Sequence, residues 1–352
     1  MVSVYNDVIK YCSELVISEK PEWISDYSVV AEDKAYRLLC FNEAVDTGEP
    51  PVLIIPPQAG HHSSIADFGA QAQSLVQTSI AATENRVFAL EWKNSVRKYE
   101  TIDDLTLYLD VCIDAAGGSV HLIGLCQGGW LSAIYAAVFP QKVKSLLIGA
   151  APIDFKAGDS KLHKFVDKIP MEGYDWIVKS GGGFLRGDVM LSGWKLTSPY
   201  ERYVEDYINI WKNIGNDDKL LRSRKFRVWY EYTQNISGKW YLQAVSELFK
   251  KNRLIKGELH VLHRDVDLSK ITCPVAMLAG EKDNITPKEQ IYALGDYVGT
   301  PEKEQFKRVI PKSGHIGVFM RTDSQDHWAE ALVFVTKKDP VKTPKKQRKT
   351  AA

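Results

Sequence analysis

A six-residue turn places the tightest constraint on what this chain can fold into. Residues 124–129 are Gly-Leu-Cys-Gln-Gly-Gly, and they connect the apolar run 120–125 directly to a helical pattern over residues 129–139. Glycines at positions 124 and 128 suit a turn so sharp that neighbouring backbones approach closely. A strand, a sharp turn and a helix in this order predict a nucleophile elbow, which lifts the Cys126 sulfur above the edge of a sheet.

The same glycine spacing also fits a buried cysteine beside a packing turn. The position before a helix favours the nucleophile, because the helix dipole stabilises the thiolate, which is the reactive form of cysteine. Gln127 would then offer its backbone N–H to the oxyanion of an acyl intermediate.

Other short apolar runs, at residues 51–55, 87–90, 146–149, 275–279 and 309–310, alternate with helical patterns. Continuous apolar strands with helices between them are typical of a parallel sheet that is covered on both faces. Together with the elbow, this alternation predicts an α/β-hydrolase fold with a mostly parallel sheet. In such sheets the chemistry takes place at the carboxyl ends of the strands.

The alternation is interrupted over residues 155–265, where aromatic residues are frequent and β-branched runs are few. We predict an inserted helical cap here. Its rings form either the cap's own core or the wall of an apolar acyl tunnel. An N-terminal helical segment is predicted over residues 1–30, and the α/β-hydrolase core over residues 31–154 and 266–336.

Charge is nearly balanced overall but concentrated at one end. The chain has 45 Lys and Arg residues and 44 Asp and Glu residues, so it has no overall electrostatic field that would attract nucleic acid. Residues 337–352 hold seven basic side chains and one acidic side chain. This Pro- and Lys-rich composition predicts a disordered basic tail, either solvated or in contact with an anionic surface.

Cysteine usage and hydropathy point to the cytoplasm. The five cysteines are scattered and odd in number, which favours reduced thiols over a disulfide framework. No run approaches 18 apolar residues, so no membrane span is expected. Residues 1–16 have polar and acidic breaks that are typical of an amphipathic helix rather than a secretory signal.

A nucleophile at an elbow needs a base and an acid, in the chain order nucleophile, acid, histidine. Asp283 follows the apolar run 275–279 and is the predicted acid, although it could also serve only to stabilise a turn. Glu281 is its nearest competitor. His315 lies between glycines after the last short strand, and we predict that it is the base.

The loop after the apolar run 51–55 is expected to complete the oxyanion site. It contains Gln58, Ala59, Gly60 and His61, and Gly60 permits the close backbone approach that a second oxyanion N–H requires. His61 would gate the site or contact substrate, or it could be a surface residue of the loop. No group of side chains has metal-ligand spacing, so no metal is expected.

Several motifs of this chain resemble those of one known group of proteins. The segments are GLCQGGW at 124–130, NISGKWY at 235–241, LFKKNRLIKGEL at 248–259, Val-Asp-Leu at 266–268, GEKDNITP at 280–287 and GHIGVF at 314–319. They resemble the polyhydroxyalkanoate synthases and intracellular polyhydroxyalkanoate depolymerases, which are α/β-hydrolases with a cysteine nucleophile. The resemblance runs from about residue 50 to residue 335 and implies a triad of Cys126, Asp283 and His315.

The motifs divide between the two branches of this group. Residues 235–259 resemble the synthases, although Ser237 stands where synthases usually have proline and Asn284 where they usually have histidine. The Pro-Pro-Gln-Ala-Gly-His run at 56–61 is closer to the depolymerases.

We therefore expect acyl transfer through a Cys126 thioester. Hydrolysis of a hydroxyalkanoate-type ester, oligomer or thioester is the first expectation. A synthase that moves 3-hydroxyacyl groups from CoA to a growing polyester is the alternative, and a non-catalytic scaffold at a granule or membrane is a further one. No cofactor is required, since a CoA thioester would be a substrate. The expected partner is a small or polymeric acyl ester, while a homodimer and a polyester granule surface stay open.

Overall fold

Eight strands form one sheet in the order β1-β2-β4-β3-β5-β6-β11-β12. The computed structural model describes residues 2–69, 71–197 and 200–337, so the predicted basic tail lies outside the described residues except for Lys337. The strands are β1 (Ser28–Glu32), β2 (Tyr36–Cys40), β3 (Val52–Ile55), β4 (Val87–Trp92), β5 (Val120–Leu125), β6 (Val143–Gly149), β7 (Phe184–Leu185), β8 (Ile236–Ser237), β9 (His260–Val261), β10 (Arg264–Asp265), β11 (Val275–Gly280) and β12 (Gln305–Ile310).

Helices connect and cover these strands. They are α1 (Val2–Leu15), α2 (Leu75–Thr83), α3 (Ile102–Ala115), α4 (Gln127–Val138), α5 (Lys161–Lys168), α6 (Met171–Ser180), α7 (Gly187–Thr197), α8 (Asp206–Lys212), α9 (Asp217–Glu231), α10 (Gly238–Gln243), α11 (Arg253–Lys256), α12 (Lys288–Tyr292), α13 (Leu294–Tyr297), α14 (Gly317–Met320) and α15 (Thr322–Thr336).

The centre of the sheet is parallel and buried on both faces. Strands β4, β3, β5, β6, β11 and β12 pair in parallel, whereas β1 and β2 are antiparallel additions at one edge. Along β3, Leu53 and Ile55 pack into the core beneath α3 and α4, and Val52 and Ile54 pack into the core beneath α2 and α15. Two covered faces explain the uninterrupted apolar strands, and they confirm the predicted α/β fold.

Strand register brings the important loops to one edge of the sheet. Ile55 pairs with Gly124, and Leu125 pairs with Gly149, so β3, β5 and β6 end at the same level. Gly149 also pairs with Leu278 of β11. The loops after these strands therefore open at a shared carboxyl edge, which is where ligands bind in sheets of this type.

The chain leaves the sheet between β6 and β11, which are neighbours within it. The intervening residues 150–274 contain α5 to α11, the short hairpin of β9 and β10, the antiparallel pair of β7 and β8, and π-helical segments at Glu201–Glu205 and Ala244–Lys250. The cap predicted over residues 155–265 falls inside this excursion. Because β6 and β11 pair directly, the insertion leaves the sheet intact.

The N-terminal helix α1 packs on this inserted region. Glu14 forms an ion pair with Arg227 at 2.8 Å, and the Tyr11 and Trp211 rings meet edge-to-face with centroids 5.4 Å apart. The first core strand, β1, begins at Ser28, ahead of the predicted boundary at residue 31. It is an edge strand with a largely exposed side-chain pattern, so it lacks the apolar run that revealed the central strands.

The turn between β5 and α4 leaves no room for side chains at its glycines. A Cβ added at Gly128 would lie 2.1 Å from the Ile55 carbonyl oxygen, and one added at Gly124 would lie 2.4 Å from Gly129 Cα. The obstructing atoms are backbone, so a small rotation of a side chain would not relieve the clash.

We expect Gly128→Ala to destabilise the fold by about 3 kcal/mol, the upper range for overpacking, because the end of β3 would have to move. Gly215→Ala is the matched control, since a Cβ there would meet nothing within 4 Å. Chemical denaturation of both variants measures the effect. Equal stability of the two variants would contradict the close approach of β3 and α4.

Candidate active site

The backbone at Cys126 adopts a conformation that non-glycine residues rarely take. Its φ is 50° and its ψ is −115°, between the last residue of β5 and the first of α4. Two hydrogen bonds fix the turn: the Cys126 N–H donates to the Gly149 carbonyl at 2.9 Å, and the Gly129 N–H donates to the Cys126 carbonyl at 2.8 Å. Strained residues of this kind concentrate at functional sites, and this geometry is that of a nucleophile elbow.

The structure brings His315 to the Cys126 sulfur. His315 Nε2 lies 3.2 Å from Cys126 Sγ, and His315 Nδ1 lies 2.9 Å from Asp283 Oδ2. The three residues that the sequence placed far apart therefore form one continuous chain of contacts. Its order, thiol to imidazole to carboxylate, is the order that nucleophilic catalysis needs.

Hydrogen bonds to both carboxylate oxygens fix the Asp283 side chain. Its Oδ1 accepts the backbone N–H groups of Ile285 and Thr286, each at 2.9 Å. Burial by itself would raise the pKa of Asp283, but the His315 charge and the hydrogen bonds from His315 and Thr286 outweigh it and keep this pKa below its usual value. The carboxylate is therefore ionised while it faces the imidazole.

His315 has a pKa well above its ordinary value. Burial opposes the protonated form, but the Asp283 carboxylate and the Cys126 sulfur both favour it through charge and hydrogen bonding. The imidazole can therefore hold the proton that it takes from the thiol while the sulfur attacks, as the base beside a nucleophile must.

Thr286 completes the acid–base contact, and sequence analysis missed it. Its Oγ1 lies 2.9 Å from Asp283 Oδ2 and 3.1 Å from His315 Nδ1. Its position three residues after Asp283 was a weak signal, because an aspartate often binds the backbone N–H groups that follow it in a turn. The competing acid Glu281 is exposed and accepts the Lys312 N–H at 2.6 Å instead of contacting His315.

The loop of residues 58–61, which we call the oxyanion loop, differs in one detail from the expectation drawn from the sequence. The Gln58 N–H donates to the side-chain Oε1 of Gln127 at 2.7 Å, so this N–H is already engaged. The backbone N–H of Gln127 belongs to the first residue of α4 and has no carbonyl partner within the helix. Ala59 is the loop residue that lines the space on both sides of Cys126.

The inserted region, residues 150–274, contacts the oxyanion loop directly. The Gln234 N–H donates to the Gly60 carbonyl at 2.8 Å, and the Trp194 indole N–H points at the Ala59 carbonyl at 3.4 Å. Gly60 has a φ of 84°, and a Cβ there would lie 2.9 Å from Met190 Sδ. The positive φ favours glycine at position 60, and a side chain there would also have to displace the Met190 side chain.

His61 is packed among aromatic rings rather than placed at the surface. Its ring stacks on Tyr230 with centroids 5.2 Å apart and lies 4.8 Å from the Trp229 ring. Burial lowers the pKa of His61 to about 4, against a smaller opposing contribution from a hydrogen bond to the Tyr232 backbone. The imidazole is therefore neutral at neutral pH, and it lines a cavity that also contains Cys126.

Two cavities meet at Cys126. The first, which we call the cap cavity, has a volume of about 350 Å³, and aromatic and aliphatic side chains of the inserted region line most of it. The second, the loop cavity, has a volume of about 370 Å³ and includes His61, His315, Lys282 and Asn284. Ala59, Cys126 and Trp194 line both.

The described residues offer neither a cluster of metal ligands nor a helix that could span a membrane. Across residues 2–69, 71–197 and 200–337, no three His, Cys, Asp or Glu side chains are grouped so that they could hold a metal ion. Within the same described ranges, none of the helices has both the length and the apolar character that a bilayer span requires.

The family model described as "Protein of unknown function (DUF3141)" matches residues 4–335. The chain belongs to this family. Among curated proteins, the DUF3141 chain is 26% identical to the "Poly(3-hydroxyalkanoate) polymerase subunit PhaC" of Haloferax mediterranei, over 93% of this chain and 66% of that protein. It is 30% identical to the subunit of the same name from Synechocystis sp., over 66% of this chain and 64% of that protein.

These matches confirm the resemblance that the motifs indicated. The DUF3141 chain spans slightly less than two thirds of the length of both polymerase subunits. Solved α/β-hydrolase structures share its fold. One is a carboxylesterase of Nitrososphaera gargenis, with a TM-score of 0.53 and 16% identity over 89% of this chain and all of that one. At this identity the similarity concerns the fold alone.

The geometry predicts that Cys126 is the residue labelled by a thiol-directed acyl analogue. We expect Cys126→Ala to abolish labelling and to lower turnover by at least about a thousandfold, because no other group would hold the acyl carbon. Cys126→Ser should keep a trace. Mass spectrometry of the labelled protein measures this, with Cys12→Ala as the matched control, because Cys12 is an exposed thiol outside both cavities. Near-normal turnover of Cys126→Ala would contradict the assignment.

The contacts of His315 also predict which carboxylate matters. His315→Ala should cost about as much as losing the thiol, because members of a triad act as a unit. Asp283→Asn should cost at least about tenfold in kcat/KM, yet less than either, because a thiol needs less help than a hydroxyl to ionise. Glu281→Gln is the matched control and should change little. A large loss for Glu281→Gln with none for Asp283→Asn would identify Glu281 as the acid.

Proposed function

We propose that this chain transfers acyl groups through a thioester on Cys126, and that the acceptor is the hydroxyl of a hydroxyacyl group or growing polyester. The observation that carries the proposal is the position of Cys126, at the junction of the cap cavity and the loop cavity and within 3.2 Å of His315 Nε2. An acyltransferase needs a place for the acyl chain and a separate approach for the acceptor, and this junction provides both.

The first half-reaction forms the acyl-enzyme. His315 accepts the thiol proton, and Cys126 Sγ attacks the carbonyl carbon of an acyl thioester. The oxyanion of the tetrahedral intermediate receives hydrogen bonds from the Gln127 N–H and from the oxyanion loop. The leaving thiolate takes the proton back from His315, so the step releases a free thiol, as from CoA, and leaves a thioester on Cys126.

The second half-reaction passes the acyl group on. His315 removes the proton of an acceptor hydroxyl in the loop cavity, and that oxygen attacks the thioester carbon. The oxygen–carbon bond forms, the sulfur–carbon bond breaks, and the Cys126 thiolate regains its proton from His315. Asp283 holds the imidazole in the tautomer that both steps need and stabilises its positive charge.

The linings of the two cavities favour this division of roles. The cap cavity is lined by groups such as Trp130, Phe165, Ile177 and Trp240, which suit a hydrocarbon chain. The loop cavity carries polar and charged side chains, among them Lys282 and Asn284. A hydroxyl acceptor or the polar part of a thioester donor is better solvated there.

The relatives change the order of the two enzymatic candidates. Sequence analysis placed hydrolysis first, but the similar curated proteins are named as poly(3-hydroxyalkanoate) polymerase subunits, which supports the synthase alternative. Hydrolysis is the second candidate because polar residues at the loop cavity, Asn284 among them, would admit water beside His315. A scaffold without catalysis is disfavoured because it has no need of the Cys126–His315–Asp283 contacts.

The direction of transfer is decided by the fate of the acyl group. On incubation with 3-hydroxybutyryl-CoA, we expect CoA release together with insoluble polymer, both of which disappear in Cys126→Ala. The measurement follows free CoA with a thiol reagent and polymer by sedimentation. CoA release with only free hydroxy acid would overturn the synthase and establish hydrolysis. No CoA release and no acyl-enzyme would contradict both.

A further inference from the structure

The Thr286 hydroxyl lies between the acid, the base and the backbone that carries the nucleophile. Thr286 is 1% exposed. Its Oγ1 lies 2.9 Å from Asp283 Oδ2, 3.1 Å from His315 Nδ1 and 3.0 Å from the Ala150 carbonyl oxygen. The two half-reactions of acyl transfer use the imidazole and the carboxylate but give this hydroxyl no role.

The number of hydrogens on the hydroxyl decides which bonds it makes. A hydroxyl has one hydrogen and two lone pairs. The Ala150 carbonyl and the ionised Asp283 carboxylate can only accept, so one of them receives the Thr286 hydrogen. In either case a lone pair of Oγ1 is left to accept the Nδ1–H of His315. This N–H is therefore shared between two acceptors, Asp283 Oδ2 at 2.9 Å and Thr286 Oγ1 at 3.1 Å.

A second acceptor restricts the imidazole more than Asp283 does alone. Asp283 Oδ1 accepts the backbone N–H groups of Ile285 and Thr286, so the carboxylate meets the ring through Oδ2. One hydrogen bond lets the ring turn about it, and a second acceptor opposes this rotation. Because the proton is kept on Nδ1, the basic lone pair of the neutral ring lies on Nε2, which is 3.2 Å from the Cys126 sulfur.

The third contact of the hydroxyl reaches the backbone beside the elbow. Ala150 follows Gly149, whose carbonyl accepts the Cys126 N–H at 2.9 Å. Ala150 has a φ of 46°, which is uncommon for a residue other than glycine, and its N–H donates to the Leu278 carbonyl at 2.9 Å. Strands β6 and β11 thus fix the Ala150 carbonyl, and Thr286 Oγ1 lies against a well-ordered point next to the nucleophile.

We propose that Thr286 is a positioning residue, whose hydroxyl oxygen shares the His315 Nδ1–H with Asp283 and thereby keeps Nε2 directed at the Cys126 sulfur. The inference rests on the proposed acyl transfer through Cys126 and assigns a further residue to that site. Thr286 acts through His315 and not on the acyl group.

Thr286→Val tests the hydroxyl, because valine keeps the branched shape and removes the oxygen. Loss of one neutral hydrogen bond predicts that kcat for CoA release from 3-hydroxybutyryl-CoA falls about three- to tenfold, while KM stays within about twofold. Thr286→Ser returns the hydroxyl and should restore most of kcat. Thr300→Val is the matched control and should change neither constant. Thr300 is 3% exposed and its Oγ1 donates to the Cys273 carbonyl at 2.6 Å, but it lines neither cavity.

Alkylation of Cys126 by iodoacetamide measures the state of the thiol without any acyl substrate. An imidazole that is not directed at the sulfur stabilises the thiolate less, so Thr286→Val should move the pH midpoint of alkylation upward by roughly half a pH unit to one pH unit. Mass spectrometry of the peptide that contains Cys126, sampled across the pH range, measures the rate. Thr300→Val should keep the wild-type midpoint.

The groups around His315 do not differ between these variants. The titratable groups that face the ring are the Cys126 thiol, the Asp283 carboxyl and, across the loop cavity, His61 and Lys282. All four are present in each variant, so a difference between the pH profiles comes from the hydroxyl.

The outcomes separate this inference from the function on which it rests. Superimposable alkylation profiles of the wild-type and Thr286→Val chains would overturn it, and so would equal losses of kcat in Thr286→Val and Thr300→Val. If CoA thioesters do not acylate Cys126 while the alkylation midpoint still shifts, the proposed function fails and the positioning of His315 stands. Thr286→Ala removes the same oxygen and replaces Thr286→Val in both measurements if valine prevents folding.

Discussion

The left-handed backbone of Cys126 is the constraint on which the rest of the site depends. With φ at 50°, the chain turns directly from β5 into α4, and the sulfur is placed at the carboxyl edge of the sheet. The turn is possible only because Gly124 and Gly128 let backbone meet backbone. The close approach of Gly128 to Ile55 places the end of β3 directly against α4. The oxyanion loop that follows β3 therefore starts beside the nucleophile. One strained residue thus fixes the thiol, the helix N-terminus and the loop relative to one another.

The charge interaction between Asp283 and His315 is the second constraint on the site. Asp283 is buried, yet its pKa stays low because backbone N–H groups and His315 surround it, and that charge in turn raises the pKa of His315. The negative and positive groups are stabilised only as a set, since each would be costly to bury alone. The arrangement allows His315 to accept a proton and to return it, which acyl exchange requires twice in every cycle.

The sequence was sufficient for the features that follow from periodicity and chain order. The β5 strand has the bounds that the apolar run predicted, and Cys126, Asp283 and His315 meet as their order implied. The features it did not predict depend on side-chain geometry inside loops: Thr286 beside His315, the engagement of the Gln58 N–H by Gln127, and the division of the site into two cavities. Loop contacts have no repeating sequence pattern, so they are seen only in the three-dimensional structure.

The contacts between the inserted region and the oxyanion loop make these two parts of the chain depend on each other. The Gln234 N–H donates to the Gly60 carbonyl, the Trp194 indole N–H points at the Ala59 carbonyl, and the Met190 side chain packs against Gly60. Residues that are far from Cys126 in the sequence thus help to set the position of the loop backbone beside it. A substitution that removes one of these contacts would alter the oxyanion site without changing any of Cys126, His315 and Asp283.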